Sequence, residues 1–522
     1  MSAMNLPIAW SIAGTDSGGG AGLSADQRAA EAFGVHLCPA VAAVTAQDSL
    51  AVHQVRAVPP QWLDEQLAAL AADMPPAAIR CGLLGSADNL RVLVRWVDRL
   101  RADHGPIPLI VDPVLGASTG RSFADDALLA AYRDELLPRT TLLTPNRREA
   151  ASLLGQTVAG DDLGAAPSLA FALQQQGVQA VAITGGDSAD HDGRVLDWIA
   201  TPQATGWLAA PRIATPHHHG TGCTFASSAA AAMALGHGAA DALVLAKMST
   251  LHALRHASAA GQGAGPVRAR PGFGLEPSLM PCLSWGEVPV FADFAARAPA
   301  EPLGLYAIVE SAARVRQVLS AGVRTVQLRI KAEAAGAMDL REQIATSVRD
   351  CRAAGAELFV NDHWALAIGL GSPGVHLGQE DLLALGESGR AALAASQVAL
   401  GISSHSLWEL ARARASAPRY IACGPVWPTL TKAMPWVPQG LDNLRWWSRM
   451  AGHPVVAIGG ILNTGRAQSA AACGPDGVCV VRGLNDDPHA TVPAFQQAIA
   501  AGRRAACEAP PPLPHPMLGS QA

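Results

Sequence analysis

Between Leu305 and Val481 the chain repeats one pattern eight times: a short aliphatic run, a polar break, then a segment long enough for a helix. The runs are Leu305 to Val309, Thr325 to Leu328, Leu358 to Val360, Val375 to Leu377, Val398 to Ile402, Tyr420 to Ala422, Val455 to Ile458 and Val478 to Val481. Parallel strands need crossovers of about a dozen residues, and eight such units over roughly 200 residues close on themselves. A (β/α)8 barrel is therefore expected here. Barrel enzymes place their chemistry at the C-terminal strand ends. Polar residues gather there: Gln327, Arg329 and Lys331, Asn361 and Asp362, Gln379 and Asp381, Ser403 and His405, Gly459 and Gly460.

The first half alternates differently. Ile8 to Ala13, Val41 to Ala46, Ile79 to Leu84, Leu109 to Val114, Leu142 to Thr144 and Val181 to Thr184 read as strands separated by helical patterns, which favours a parallel sheet covered by helices. Arg194 to Ile199 and Trp207 to Arg212 follow in hairpin order, before two Ala-rich helices from about Thr221 to His256. The Gly- and Pro-rich stretch from Gly261 to Pro302 is expected to hold the inter-domain connection. The expected organisation is a first domain at 1–272, a linker at 273–302, the barrel at 303–505 and a disordered Pro-rich tail at 506–522.

With 522 residues, each half can bury its own core. A net charge of -5, with acids and bases evenly mixed, argues against a nucleic-acid groove or a polybasic membrane contact and leaves small molecules as the expected partners. Nine dispersed cysteines without a CxxC pair point to a reduced, cytoplasmic protein. No signal peptide or membrane span is expected. A homo-oligomer is compatible with the sequence, which sets no stoichiometry.

In the first domain, Gly14 to Gly22 follows the first strand and opens a helix carrying Asp26, so bare backbone can approach a ligand closely. The alternative is a Gly-rich turn without a ligand. His219-Gly220-Thr221-Gly222-Cys223-Thr224 precedes a long helix, where backbone N–H groups converge on an anion such as a phosphate in transfer. Cys223 at the helix start is expected to have a lowered thiol pKa and to act as a base, against the commoner fate of a buried small thiol. Asn146 and Glu149, after a strand, suit magnesium held against nucleotide phosphates, or equally an N-cap with its first-turn acid.

In the barrel, Gln327, Arg329 and Lys331 share one face of a strand end, and two cations aimed at the mouth imply a polyanion or else a rim of salt bridges. Asp362 and Asp381 beside those cations are reconciled by magnesium bridging them to diphosphate. Thr429, Thr431 and Lys432 add hydroxyls and a cation, and Gly459 and Gly460 let backbone N–H groups meet a second phosphate.

The stretches SIAGTDSGGGAGLSAD, AVTAQD, VDPV, LLTPNRREA and HGTGCT together resemble hydroxymethylpyrimidine and hydroxymethylpyrimidine-phosphate kinases, whose fold is a ribokinase-like α/β sandwich. The resemblance implies ATP as co-substrate, Asp26 and Gln47 on the aminopyrimidine, Val114 beside the ring, Cys223 as base, and an anion hole that includes Gly220 and Gly222. Asn146, Glu149, Thr184 and Lys247 would lie on the nucleotide side. GLYAIVE, AGVRTVQLRIK, LFVNDHWALA, GVHLGQEDL, GISSHS, VWPTLTKAMPWVPQGL and VVAIGGI resemble thiamine-phosphate synthase, a TIM barrel that condenses hydroxymethylpyrimidine diphosphate with thiazole phosphate. This likeness places Arg329, Lys331 and Lys432 on diphosphate, Asp362 and Asp381 on Mg2+, Gln327 and Asn361 on the pyrimidine side, and Ser403 near the leaving group. Thr429, Thr431, Gly459 and Gly460 would contact the thiazole phosphate.

Two departures stand out. Where the kinases have a lysine before paired glycines, this chain has Thr184, which opens the alternative that the first domain is a degenerate pyrimidine-binding or regulatory module and only the barrel catalyses. Lys247 matches a family lysine in the last helix of that domain. Arg482 stands where the synthases carry a Ser-containing turn, and an arginine there still holds a phosphate bidentately.

Overall fold

The computed structural model describes residues 6–116, 123–157, 162–187, 191–291, 302–330, 339–429, 435–485, 487–506 and 509–519. The chain divides into two compact units, Met1–Pro289 and Val290–Ala522.

The first unit is built on a ten-stranded sheet. Its strands are β1 (Ile8–Gly14), β2 (His36–Gln47), β3 (Val52–Ala57), β4 (Ala78–Cys81), β5 (Leu109–Val111), β6 (Leu142–Leu143), β7 (Ala180–Ile183), β8 (Arg194–Ala200), β9 (Thr205–Pro211) and β10 (Cys282–Leu283). Their spatial order is β10-β9-β8-β7-β6-β5-β4-β1-β2-β3. From β2 through β7 the pairings are parallel, and both margins are antiparallel. The central strands are buried along their whole length, as their short apolar runs require of a sheet covered on both faces. Helices Thr221–Ala234 and Ala239–Arg255 are almost entirely buried, which their alanines and small hydroxyl residues permit.

Two strands were not expected. β3 is exposed along most of its length, so no hydrophobic period marks it. β10 lies in the supposed linker, where Phe273, Leu279, Met280 and Leu283 are nearly inaccessible and Cys282 and Leu283 pair with Ala209 and Leu208 of β9. Residues 273 to 289 thus belong to the first unit.

The second unit is a closed barrel of β11 (Gly304–Val309), β12 (Thr325–Leu328), β13 (Glu357–Asn361), β14 (Gly374–Leu377), β15 (Ala399–Ser404), β16 (Tyr420–Cys423), β17 (Val455–Ala457) and β18 (Gly477–Val480), all parallel. Tyr306, Phe359 and Tyr420 fill its interior, the two tyrosine rings perpendicular with centroids 5.5 Å apart. Capping side chains start several of the outer helices: Ser311, Asp339, Ser406 and Asn463 each accept a backbone N–H three residues on. The tail departs from the expected disorder. Met517 is 1% exposed, Val437 N–H donates to its carbonyl at 2.7 Å, and Leu518 bridges Trp436. Among the described residues no helix is long and apolar enough to cross a membrane.

Candidate active sites

The first unit opens a cavity of about 880 Å³ at the C-terminal ends of the parallel strands. Two Gly-rich segments meet there. Gly220, at φ 85, starts helix Thr221–Ala234, and a Cβ on it would fall 2.3 Å from the carbonyl of Gly20. Only glycine allows this approach, which carries the helix start, with Gly222 and Cys223, into the cavity wall. The first N–H groups of a helix lack intrahelical partners and attract anions.

Below this start lies a buried ionic cluster. Arg80 on β4, 1% exposed, donates to Asp26 at 3.0 Å and to Asp112 at 2.6 Å. Asp26 also accepts from Ser11 and Ser227, both at 2.7 Å. Burial pushes both carboxyls up and Arg80 pulls them back down, while the two acids hold the guanidinium firmly protonated. Asp26, expected on the pyrimidine ring, is 0% exposed and its oxygens accept from Arg80, Ser11 and Ser227.

Cys223 also departs from expectation. Its thiol, partly buried and bonded to Asp112, is pushed up to about 12 by burial and the nearby acids, against the pull of Arg80. Desolvation outweighs the helix start, so the thiol is not an ionised base in the free protein.

Asn146 and Glu149 form a capping box: Glu149 N–H donates to Asn146 Oδ1 and Asn146 N–H to Glu149 Oε2, both at 2.9 Å. Both also line the cavity, and burial together with Asp112 pushes Glu149 up to about 8. Val114, Thr184 and Lys247 line it too. Lys247 donates to Asp197 at 2.6 Å, and the other oxygen of Asp197 accepts the Gly185 N–H at 2.9 Å, so a cation sits beside the paired glycines despite Thr184. Gln47 faces His219 at 3.3 Å, and the same His219 nitrogen lies 2.9 Å from Asp16. Arg80, Asp112, Asp16, His219 and Asp197 escaped the sequence reading as site residues. The first Gly-rich stretch, VDPV and the His219 stretch contained three of these positions, Asp16, Asp112 and His219, without revealing their partners.

At the barrel mouth, β12 brings Gln327 and Arg329, β13 Asn361 and Asp362, and β15 Ser403. Gln327 is 2% exposed and begins a chain of hydrogen bonds across the interior. Its amide donates to the Tyr306 hydroxyl at 3.2 Å; Tyr306 and Tyr420 hydroxyls are 2.7 Å apart; Tyr420 meets His376 Nδ1 at 2.8 Å; His376 Nε2 meets Ser403 Oγ at 3.0 Å. A neutral imidazole with its proton on Nε2 satisfies every member, and Ser403 then accepts from His376 with its own hydrogen free to donate outward.

Burial, helped by Arg329 and His405, lowers His376 to about 3. A histidine folded in its neutral form stabilises fully above its unfolded pKa of about 6.5, and that stability falls as pH drops toward the folded value. The barrel is expected to lose about 2 kcal/mol between pH 7 and pH 5 on this account. His376→Gln should flatten the loss, as read from hydrogen exchange of barrel-strand amides at the two pH values.

Asp362, held at φ 64 after β13, and Asp381 after β14 are exposed at the rim. Asp381 also accepts the Gly378 N–H at 2.9 Å. Gly459 and Gly460, at φ 92 and 71, lie against Pro425 and Trp427, where any Cβ would fall 2.6 Å from their atoms. They therefore pack beneath the β16 connection that carries Thr429. Arg482 is exposed after β18. Lys331, Thr431 and Lys432 lie outside the described residues.

Family comparisons agree with this division. Residues 16–268 match the phosphomethylpyrimidine kinase family, and residues 305–484 match the thiamine monophosphate synthase family. The chain is 42% identical over 264 residues to a hydroxymethylpyrimidine/phosphomethylpyrimidine kinase of Synechococcus elongatus, covering 51% of this chain and 97% of the relative. It is 47% identical over 199 residues to a thiamine-phosphate synthase of Neisseria meningitidis, covering 37% and 94%. Across both units it is 31% identical over 494 residues to the chloroplastic thiamine biosynthetic bifunctional enzyme TH1 of Arabidopsis thaliana, covering 93% of this chain and 91% of that enzyme. The chain belongs to the bifunctional thiamine biosynthetic enzymes, with a ribokinase-like kinase in its first unit and a thiamine-phosphate synthase TIM barrel in its second.

Proposed function

We propose that the first unit phosphorylates hydroxymethylpyrimidine and its phosphate from ATP, and that the barrel joins the resulting diphosphate to thiazole phosphate. The observation that carries this reading is one cavity that combines a helix start with buried carboxylates and the Lys247 cation. Gln47 and Val114 hold the ring, and the helix start at Gly220, Gly222 and Cys223 faces the transferring phosphoryl. Phosphoryl transfer passes through a loose transition state, so positioning and charge stabilisation matter more than a strong base. This is compatible with a protonated Cys223.

Asp112 and Glu149 are hard oxygen donors, and the upward push on Glu149 is what a divalent cation would relieve, so the residues fit magnesium. In the barrel the exposed pair Asp362 and Asp381 fits it equally. The ion would neutralise phosphate charge in both places.

In the barrel, diphosphate departs from the pyrimidine methylene carbon before the thiazole nitrogen attacks. Arg329, Lys331 and Lys432 hold the departing anion, and Ser403 donates its free hydrogen to it. Gln327 and Asn361 meet the pyrimidine; Thr429, Thr431, Gly459, Gly460 and Arg482 meet the thiazole phosphate.

The test is thiamine phosphate formation from ATP, magnesium, hydroxymethylpyrimidine phosphate and thiazole phosphate, beside a reaction given preformed pyrimidine diphosphate. Product in both is expected. Product only in the second would leave the first unit a binding module, and product in neither would refute the reading.

A further inference from the structure

The Pro-rich tail is the least enzyme-like part of the chain, and it lies beyond the residues that match the synthase family. Its burial has a period of three: Pro511, Pro514 and Met517 are buried while Pro510, Pro512 and His515 are exposed. Three residues per turn is the repeat of a polyproline helix, which presents one side to a surface. Because proline already restricts φ, ordering such a segment costs less entropy than ordering an ordinary tail.

The surface it meets is Trp436 to Gln439 and the start of helix Gly440–Met450, where the Gln439 and Gly440 N–H groups donate to the carbonyls of Pro425 and Val426 at 2.8 and 3.0 Å. The Asn443 amide brackets the His515 backbone, accepting its N–H at 2.9 Å and donating to its carbonyl at 3.4 Å. The His515 ring places Nε2 3.0 Å from the Gln439 carbonyl and Nδ1 2.8 Å from the Pro516 carbonyl, and the Met517 carbonyl accepts the Val437 N–H. Gln439 passes the restraint inward: its amide donates to the His405 carbonyl at 2.7 Å, and its oxygen accepts from Asn443 at 3.0 Å. Trp436, bridged by Leu518, stacks on the His405 ring with centroids 5.7 Å apart and planes 6° apart. His405 is two residues from Ser403, and Thr429 lies on the β16 connection.

We infer that the tail is a strap that positions the barrel mouth, with His515 and Asn443 as positioning residues for the synthase reaction. The inference rests on the synthase reading above. The strap touches no substrate; it fixes the backbone that carries Thr429 and the turn that carries Ser403.

The test is the full chain against three variants: a chain ended after Ala506, His515→Ala and His515→Gln. Kinase activity is the internal control and should stay within about twofold. Misplacing a binding loop costs one to two orders of magnitude, so ending the chain at Ala506 should raise the KM for thiazole phosphate about tenfold or more, with a smaller change in kcat. His515→Ala should move the KM in the same direction, and His515→Gln, which supplies a donor to the Gln439 carbonyl, should restore it. Protease cleavage within 424–439, located by mass spectrometry, should accelerate with tail loss. An unchanged KM with unchanged cleavage would overturn the strap. If the full chain made no thiamine phosphate, the synthase reading would fail and the cleavage rates alone would decide the strap.

Discussion

Arg80→Met is expected to destabilise the first unit by about 3–5 kcal/mol, the usual consequence of removing one partner from a buried ion cluster. Asp26 and Asp112 would remain buried at 0% and 6% exposure with no cation between them. Ser11 and Ser227 would still bond Asp26, but they are neutral and do not balance its charge. The change also removes packing, since Arg80 is among the largest fully buried side chains. Hydrogen exchange of β1 and β4 amides should report the loss, while barrel amides keep their protection. Unchanged protection in β1 and β4 would mean that the cluster does not hold this unit together.

The second large effect falls on the barrel. Arg329→Gln is expected to lower synthase kcat by about 10²-fold or more, as loss of a preorganised group facing developing charge commonly does. Kinase turnover on the same chain should be unchanged. Arg329 is partly buried at the end of β12, close enough to His376 and Cys479 to act on both electrostatically, so its charge is directed inward as well as toward the mouth. A variant with full turnover on preformed pyrimidine diphosphate would remove Arg329 from the reaction.

The barrel was legible because its signal is local: each short apolar run is one buried strand, and the polar residues after it stay at the rim. The parallel part of the first sheet was legible for the same reason. The cluster around Arg80 was not, because its acids stand 54 and 32 positions away along the chain and meet it only across adjacent strands and a helix. Cys223 shows a different limit. A helix start lowers a thiol pKa, but three-dimensional burial beside Asp112 and Asp26 outweighs it. Gln327 and Ser403 were each picked out as single residues, whereas the tyrosine and histidine hydrogen bonds linking them appear only once the barrel closes. In the tail, composition suggested disorder because prolines make no core of their own; a period-three face laid on another surface leaves no such compositional trace.

The tenth strand changes what counts as a detachable kinase. A composition boundary near residue 272 separates the sheet from its own margin, because β10 covers the free side of β9 along Leu208 and Ala209. Without it, β9 would present the unpaired backbone groups of Leu208 and Ala209 along a free edge, which invites pairing between copies. The piece of this chain that can be exchanged as a module therefore ends at Pro289, and the joint between the two catalytic units begins only after it.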